Sequence, residues 1–502
     1  MRLSKLLFFI AILFVSLPAF ALADYQDQRV SFFVEKDFSA SSTSYVSASL
    51  KKISANAYFY VEDSWWNGLT SAKKEEAVAS LNSLASEFDS KIYPILTAQF
   101  GFEWKPGIDK DNRITVLFSS MEGSYKGYFR TNDEYEKIQI PDSNQREMIY
   151  LNTGYLASSL IKGLLAHEFT HLIQFNQKDR SYGAADDTWL NEARAEFAIT
   201  LLGYNNAYDQ SYLKSRVSDF LEYPFDSLTE WRGQAYDYGV LSLFAHYLVE
   251  QYGVEVLSNS LHSSKVGAAS IDSYLKDRFS GIDLKQAFSD WSVAVLVNDC
   301  SLGEKYCYKN QNLKKVKLVP FNNFMPFLGE STINLGQTLT EWSCHWQKFT
   351  GGKDGLKIDF KPANPAAYFK VRYIIEDNLG NLSLSTMALD NNQQGQLILP
   401  DFSKQNRSIT IIPCLEMKTP ANGVEEKDYT YYLSASTLNK TEPVNQGTGS
   451  SSGNATSTGS GSSTSTQIKL PFTLDKPISQ MSRQELLITI IRLILYLRGI
   501  NL

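Results

Sequence analysis

The chain has 502 residues, of which 43% are hydrophobic and 20% are charged. This balance is typical of a globular protein, and the length predicts about three structural units. The formal net charge of -6 comes from 48 basic and 54 acidic residues, without a long run of either sign. Because nucleic-acid binding needs a basic surface, we expect no nucleic-acid partner.

The first 23 residues have the pattern of a secretory signal peptide. Arg2 and Lys5 precede an apolar run over residues 6–20, and Ala21-Leu22-Ala23 matches a cleavage site. An uncleaved membrane anchor is the alternative, but the apolar run is short for a membrane span. We therefore expect a secreted, extracellular protein, and association with the cell surface is compatible with this.

Residues 24–111 predict an α/β segment. Aromatic and β-branched residues at 29–38 and 57–66 predict strands. Apolar residues at helical spacing predict a helix over 71–100, with Ser71 as its cap and Gly101 as its end. The segment belongs either to the following domain or to a pro-segment.

Residues 112–300 predict a second unit. Two short strands at 113–118 and 147–151 are followed by almost continuous helical patterns over 156–298. Strands followed by helices indicate an α+β fold.

Residues 301–445 predict a small β-sandwich. Short alternating segments are separated by Gly, Pro and Asn, which is typical of this architecture. The predicted strands are at 315–319, 356–360, 367–375, 396–399, 408–413 and 429–435.

The four cysteines predict disulfide bonds, because thiols tend to pair outside the cytoplasm. Cys300 and Cys307 are close enough to close a short loop, which would leave Cys344 and Cys414 for a second bond. Four cysteines allow three connectivities, and the sequence alone does not choose between them. None has the C-x-x-C spacing of a thiolate zinc site.

The C-terminal region predicts a flexible tail with a short helix. Residues 446–466 are almost entirely Ser, Thr, Gly and Asn, which predicts a linker. An amphipathic helix follows within 467–502, with Ser482 as N-cap and Glu485 in the capping box. A membrane anchor is one interpretation, but Arg492 and Arg498 favour packing on a partner at the cell surface or self-association.

Two of the five histidines stand four residues apart in Ala166-His167-Glu168-Phe169-Thr170-His171. Side chains at i and i+4 lie on one face of a helix, so both imidazoles can reach one ion. Polar groups in such an apolar segment would each cost about 1–3 kcal/mol if they were left unsatisfied. A bound metal explains their placement better than core packing does.

A second acidic motif follows in the segment 188–196, where Glu192 and Glu196 are four residues apart. Two histidines and one carboxylate leave the fourth tetrahedral position open, which is the ligand count of a catalytic zinc site. The sequence therefore predicts one catalytic zinc ion.

The pair of motifs H-E-x-x-H and N-E-x-x-x-E resembles the gluzincin metallopeptidases. This resemblance implies that Glu192 is the third zinc ligand and that Glu196 accepts a hydrogen bond from a ligating histidine, which fixes its tautomer. It also implies that Glu168 is the general base for zinc-activated water. The metzincin pattern does not fit, because Gln174 and Gln177 replace its Gly and His.

A further resemblance is to the hyicolysin family of secreted neutral metallopeptidases, over residues 112–298. This resemblance implies a zincin-type catalytic domain with an N-terminal sheet and a helical C-terminal part. The segments that carry it are residues 127–129, 133–135, 146–151, 167–175, 189–192 and 288–291.

The transition state also needs a hydrogen-bond donor beside the metal. Tyr236 is the first candidate, because Tyr236-Asp237-Tyr238-Gly239 is similar to the Y-x-x-G stretch of gluzincin aminopeptidases, and Tyr238 and His246 are the alternatives. The strand at 147–151 is interpreted as the sheet edge to which an extended substrate adds.

The aminopeptidase signature G-x-M-E-N is absent, because Met121-Glu122 is followed by Gly123. The sequence thus favours a secreted zinc endopeptidase with a protein or peptide substrate. The alternatives are a binding or adhesion protein with an inactive peptidase domain, and a zinc hydrolase that acts on a non-peptide bond.

Overall fold

A computed structural model describes residues 23–123, 125–416 and 427–438 of the chain. The predicted signal peptide at 1–23 lies outside these residues except for Ala23, and the predicted linker at 446–466 and the predicted helix within 467–502 lie wholly outside them. In the described part of the chain, no helix is long and apolar enough to cross a membrane. The fold is α+β, as predicted.

A mixed six-stranded sheet forms the N-terminal part of the fold, with the strands in the order β1-β2-β3-β4-β6-β5. β3 and β4 run parallel, as do β4 and β6, and the other neighbours are antiparallel. The strands are β1 (Arg29–Phe33), β2 (Tyr45–Ile53), β3 (Ala57–Glu62), β4 (Ile114–Ser119), β5 (Gly127–Phe129) and β6 (Met148–Asn152).

The strand predicted at 147–151 forms as β6, but it is not an edge strand. Every residue of β6 is buried, and β6 lies between β4 and β5. The edge strand next to β6 is β5 (Gly127–Phe129). The sequence does not predict this strand, because three residues carry no alternating pattern. The predicted substrate-binding edge at 147–151 is therefore wrong.

Eleven helices are present in the described residues. They are α1 (Asp63–Gly68), α2 (Ser71–Glu87), α3 (Tyr93–Phe100), α4 (Ile161–Gln174), α5 (Thr188–Leu201), α6 (Tyr212–Glu222), α7 (Ala235–Tyr252), α8 (Glu255–Leu261), α9 (Gly267–Arg278), α10 (Leu284–Val297) and α11 (Phe402–Gln405). Most of them share one hydrophobic core with one face of the first sheet.

The helix predicted over 71–100 forms as α2, a π-helical turn and α3. Its cap is Thr70 and not Ser71, because the Thr70 side chain accepts a hydrogen bond from the backbone N–H of Lys73. Gly101 ends α3 with a φ of 95°, which confirms the predicted end.

The predicted β-sandwich is present as two sheets, which pack around their own hydrophobic core. Their orders are β13-β12-β15-β10-β7, with β9 on β15, and β14-β11-β16-β8. The strands are β7 (Phe321–Met325), β8 (Thr332–Thr340), β9 (Ser343–Cys344), β10 (Gln347–Gly351), β11 (Gly355–Pro362), β12 (Phe369–Asp377), β13 (Leu382–Thr386), β14 (Gly395–Leu399), β15 (Asn406–Leu415) and β16 (Asp428–Leu438).

One predicted strand of this region is wrong. Residues 315–319 form no strand, because Val316 and Leu318 are buried in the core of the helical part instead. The sandwich itself packs on α10, where Arg372 forms an ion pair of 2.9 Å with Asp290. Trp346 Nε1 also donates to the carbonyl oxygen of Ser292, at 2.8 Å.

Both expected disulfide bonds form, between Cys300 and Cys307 and between Cys344 and Cys414. The first closes a short loop after α10. The second joins β9 to the neighbouring strand β15. The described residues contain no free cysteine.

A pair of buried acids lies at the start of β6. Glu134 and Glu147 are only 4% and 2% exposed, and neither oxygen of Glu134 has a hydrogen-bond partner. Burial, together with the charge of Glu147, raises the pKa of Glu134 well above its usual range. Burial likewise raises the pKa of Glu147 to about 7. The folded chain therefore holds a proton here that the unfolded chain releases near pH 4.5.

We predict that the free energy of unfolding falls as the pH rises from 5 to 8, and that it falls less in Glu134→Gln than in the wild type. The native state binds more protons than the unfolded state in this window, so its stability falls as the pH rises. A glutamine binds no such proton, so between pH 5 and pH 8 the wild type should lose about 1–3 kcal/mol more of its unfolding free energy than the variant. Urea denaturation at both pH values measures it.

The control is Glu122→Gln, at an exposed position in the loop before β5. Equal pH dependence of unfolding in the wild type and in Glu134→Gln would show that the buried pair does not carry this proton.

Candidate metal centre

Helix α4 presents the H-E-x-x-H motif on the face opposite its core contacts. Leu165, Phe169 and Ile173 are fully buried in the main core. His167 and His171, one turn apart, point away from that core, and their Nε2 atoms are 3.2 Å apart. The apolar side of the helix thus fixes the position of both imidazoles.

Helix α5 brings Glu192 to the same point. Its Oε2 atom lies 3.2 Å from His167 Nε2, and its Oε1 atom lies 3.6 Å from His171 Nε2. A tetrahedral zinc site with bonds of about 2.0–2.1 Å has ligand atoms roughly 3.3 Å apart. The three side chains match this spacing. Within the described parts of the chain, no other group of His, Cys, Asp and Glu side chains has metal-binding geometry.

The chemistry of these donors also fits a metal ion. Glu192 Oε2 is buried and accepts no hydrogen bond from the protein, although His167 Nε2 is close to it. An orphaned carboxylate oxygen of this kind is costly unless a cation satisfies it. The three side chains remain 12–15% exposed, so an ion can reach them from the solvent.

Glu196 lies one turn after Glu192 and binds an arginine. Arg216, from α6, donates two hydrogen bonds to its carboxylate, at 2.7 Å and 3.0 Å. Glu196 Oε1 is 3.6 Å from His167 Nδ1, which is longer than a hydrogen bond. The predicted hydrogen bond from His167 to Glu196 is therefore not present, and Arg216 holds the Glu196 carboxylate beside the His167 ring. The sequence contains no local signal for Arg216, because its helix joins the site only through the tertiary fold.

Gln174 lies beside the other histidine. Its amide nitrogen is 3.4 Å from His171 Nδ1 and donates a hydrogen bond to the carbonyl oxygen of Asn191, at 3.1 Å. Gln174 thereby links α4 to α5 behind the metal ligands. Its spacing of three residues from His171 on the same helix was a signal that sequence reasoning could have used.

The ionisation of the histidines differs strongly. Burial lowers the pKa of His167, but the Glu192 carboxylate outweighs this effect and raises the pKa to about 9. Burial lowers the pKa of His171 to about 4. The pKa of Glu192 is lowered, because the histidine charges outweigh its burial. A metal ion that binds here competes with a proton at His167.

Glu168 is 5% exposed and lies at the wall of the cleft. Burial raises the pKa of Glu168, His167 lowers it, and the Glu192 and Glu196 carboxylates raise it, so that the pKa lies at about 8. Edge strand β5 lies close by, since a Cβ atom added to Gly127 would be 3.0 Å from Glu168 Oε1. A carboxyl group that titrates near neutral pH is suited to exchange protons with a reactant.

A cavity of about 320 Å³ opens beside these residues. Its wall includes His167, Glu168 and Glu196 from the two motif helices, and Lys126 and Gly127 from the β5 region. This cavity, which we call the side cleft, connects the predicted base to the edge of the sheet.

The structure does not bring Tyr236 to the side cleft. Its ring lies 5.1 Å from the ring of Tyr223, and it does not line the cavity. Tyr238 does line the cavity, and burial followed by the charges of Glu192 and Glu196 raises its pKa. His246 is buried, and its ring nitrogens contact Thr200 and Ser242. Of the three candidates, Tyr238 has the placement of a donor.

Comparison with known proteins identifies no family for the chain. No protein-family model matches it, and no curated protein matches it. The resemblance to gluzincins and to the hyicolysin family therefore stays a prediction.

Solved structures share only local similarity with the chain. The pre-peptidase C-terminal domain of a collagenase from Bacillus anthracis is 10% identical over 23% of this chain and 96% of that chain, with a TM-score of 0.17. PliG from Aeromonas hydrophila, a periplasmic inhibitor of g-type lysozyme, is 13% identical over 24% and 98%, with a TM-score of 0.16. The Yersinia pseudotuberculosis-derived mitogen is 15% identical over 23% and 92%, with a TM-score of 0.15. These TM-scores are too low to support a conclusion about fold or function.

We predict that Glu192→Ala lowers the affinity for zinc by more than about 100-fold, because it removes a ligand and not merely a neighbour of one. Glu196→Gln keeps all three ligands and should lower the affinity by about 10-fold. Competition with a chromophoric chelator measures both constants. The control is Glu222→Gln, at an exposed position on α6. Wild-type zinc affinity in Glu192→Ala would exclude Glu192 as a ligand.

Proposed function

We propose that the chain is an exported zinc-dependent endopeptidase with a zincin-type catalytic unit. The observation that supports this proposal best is the convergence of His167, His171 and Glu192 at 3.2–3.6 Å, with Glu168 on the same helix at the wall of an open cleft. The two disulfide bonds support export, since such bonds persist in oxidising compartments.

The proposed chemistry divides between the ion and the protein. A zinc ion held by His167, His171 and Glu192 would supply Lewis acidity toward the scissile carbonyl and lower the pKa of attacking water. Glu168 takes the proton of that water and delivers it to the leaving amine. The Tyr238 hydroxyl donates a hydrogen bond to the carbonyl oxygen as negative charge develops there.

Edge strand β5 is the proposed docking strand for the substrate backbone. Its free edge can accept one more extended strand, which gives main-chain hydrogen bonds independent of substrate sequence. Gly127 has no side chain at the point where β5 approaches Glu168, so the substrate backbone can come close to the base. This strand replaces the one predicted from the sequence.

We predict that Glu168→Gln keeps zinc but loses at least about 100-fold of its peptidase rate, because an amide cannot accept the proton. Casein hydrolysis and zinc content measure the two effects. The control is Glu222→Gln, which leaves the cleft unchanged. Wild-type rates in Glu168→Gln would remove Glu168 as the base.

The same assays separate the alternative functions. If the zinc-loaded wild type hydrolyses esters but no peptide, it is a hydrolase of non-peptide bonds. If it hydrolyses neither, the endopeptidase proposal fails and the result favours the binding or adhesion function.

We predict that Tyr238→Phe lowers kcat by about 100-fold, since a donor to the developing charge is lost. Tyr236→Phe is the matched control, two residues away on the same helix and outside the side cleft, and its kcat should stay near that of the wild type. A large loss of kcat in Tyr236→Phe and none in Tyr238→Phe would show that Tyr236 is the donor, as the sequence predicted.

A further inference from the structure

One wall of the side cleft carries a lysine that the proposed mechanism does not use. Lys126 directly precedes edge strand β5 and is partly buried in the cavity wall. Its ammonium group lies 4.9 Å from the ring centre of Tyr212, which lines the same cavity. The lysine is thus held against an aromatic wall one residue before Gly127.

The neighbouring charges do not neutralise Lys126. Arg216, on the same cavity wall, is paired with Glu196 and lies 3.8 Å from Asp219. Lys126 has no carboxylate within 4.0 Å among the residues that the structure describes. Burial, followed by repulsion from Arg216, lowers the pKa of Lys126, while the more distant Glu196 and Asp219 only partly offset this.

A partly buried ammonium group without an ion pair is stabilised by an anion that enters its cavity. The same cavity contains His167 and Glu168, so an anion bound here sits beside the reacting bond. A carboxylate suits the site, because Arg216 is already paired with Glu196 and the Lys126 ammonium group is left to bind one anion. This preference rests on the proposed function, since it concerns the substrate of that site.

We propose that Lys126 is a specificity-determining residue, which binds a substrate carboxylate adjacent to the scissile bond. An acidic side chain and the free C-terminal carboxylate of a short peptide offer the same chemistry, and the second source would make the enzyme a carboxypeptidase instead of an endopeptidase. In either case the carboxylate approaches the Lys126 ammonium while the substrate backbone lies along β5. Because Lys126 directly precedes Gly127, the carboxylate that it binds should belong to a substrate residue next to the scissile bond.

The test compares kcat/KM of the zinc-loaded enzyme for two matched pairs of peptides. The first pair has Glu or Gln next to the cleaved bond, and the second has a free or amidated C-terminus. We expect the wild type to favour the carboxylate member of one pair by about 10- to 100-fold. The pair that shows the preference identifies the source of the carboxylate.

In Lys126→Met the ratio of kcat/KM between the carboxylate peptide and its neutral match should fall to about 1. The main change is a higher KM for the carboxylate peptide, because the ammonium group that binds its carboxylate is lost. Lys126→Glu should reverse the preference toward a peptide with Lys at the same position. The control is Lys214→Met on α6, where the lysine is exposed and paired with Asp209. Thermal unfolding confirms that each variant is folded.

Two negative outcomes are distinct. Cleavage of all four peptides with equal kcat/KM, or a wild-type ratio in Lys126→Met, overturns the role of Lys126 and leaves the endopeptidase in place. Failure of the zinc-loaded wild type to cleave any peptide overturns both proposals.

Discussion

The packing of α4 against α5 is the constraint on which the candidate site depends. Leu165 and Phe169 on α4 and Leu190 and Ala198 on α5 are buried in one core, so neither helix can rotate without exposing apolar surface. The faces turned away from that core then carry both histidines and the acids. Because side chains at i and i+4 repeat on one face, fixing the helix axes also fixes where the ligand atoms meet. The cost of disturbing the apolar contacts preorganises the candidate metal centre.

Electrostatics places a second condition on the site. The carboxyl groups of Glu168, Glu192 and Glu196 are crowded into a mostly buried region, where like charges repel strongly. Arg216 neutralises Glu196 through two hydrogen bonds, and His167 interacts with Glu192. Glu168 has no such ion pair, and burial, together with the charges of Glu192 and Glu196, raises its pKa despite the nearby His167. A cation at the three ligands would relieve part of this repulsion, so metal binding and the ionisation of Glu168 are coupled.

The parts of the site that depend on local sequence were predictable, and those that depend on tertiary contacts were not. The spacing of His167 and His171 requires only a helix, and Glu192 stands in a recognisable second motif. Arg216 and Lys126 reach the site from other elements, for which no local pattern exists. In the fold, the α+β class and the sandwich followed from periodicity, while the sequence predicted disulfide bonds without choosing among the three connectivities. Strand order did not, because the mostly apolar sequence of β6 indicates only that it is buried, and β5 has only three residues.

The short length of β5 connects stability with the proposed function. A long, flat edge strand invites uncontrolled pairing with other chains, and a three-residue strand reduces that risk. The same strand still offers unpaired main-chain groups to one extended segment. It does so next to Glu168, where Gly127 leaves no Cβ between the sheet and the base. β5 is hydrogen-bonded to β6, every residue of which is buried. This pairing fixes the position of the β5 edge relative to α4. In the proposed function, recognition of the substrate backbone and activation of the attacking water would thus depend on the same few sheet contacts.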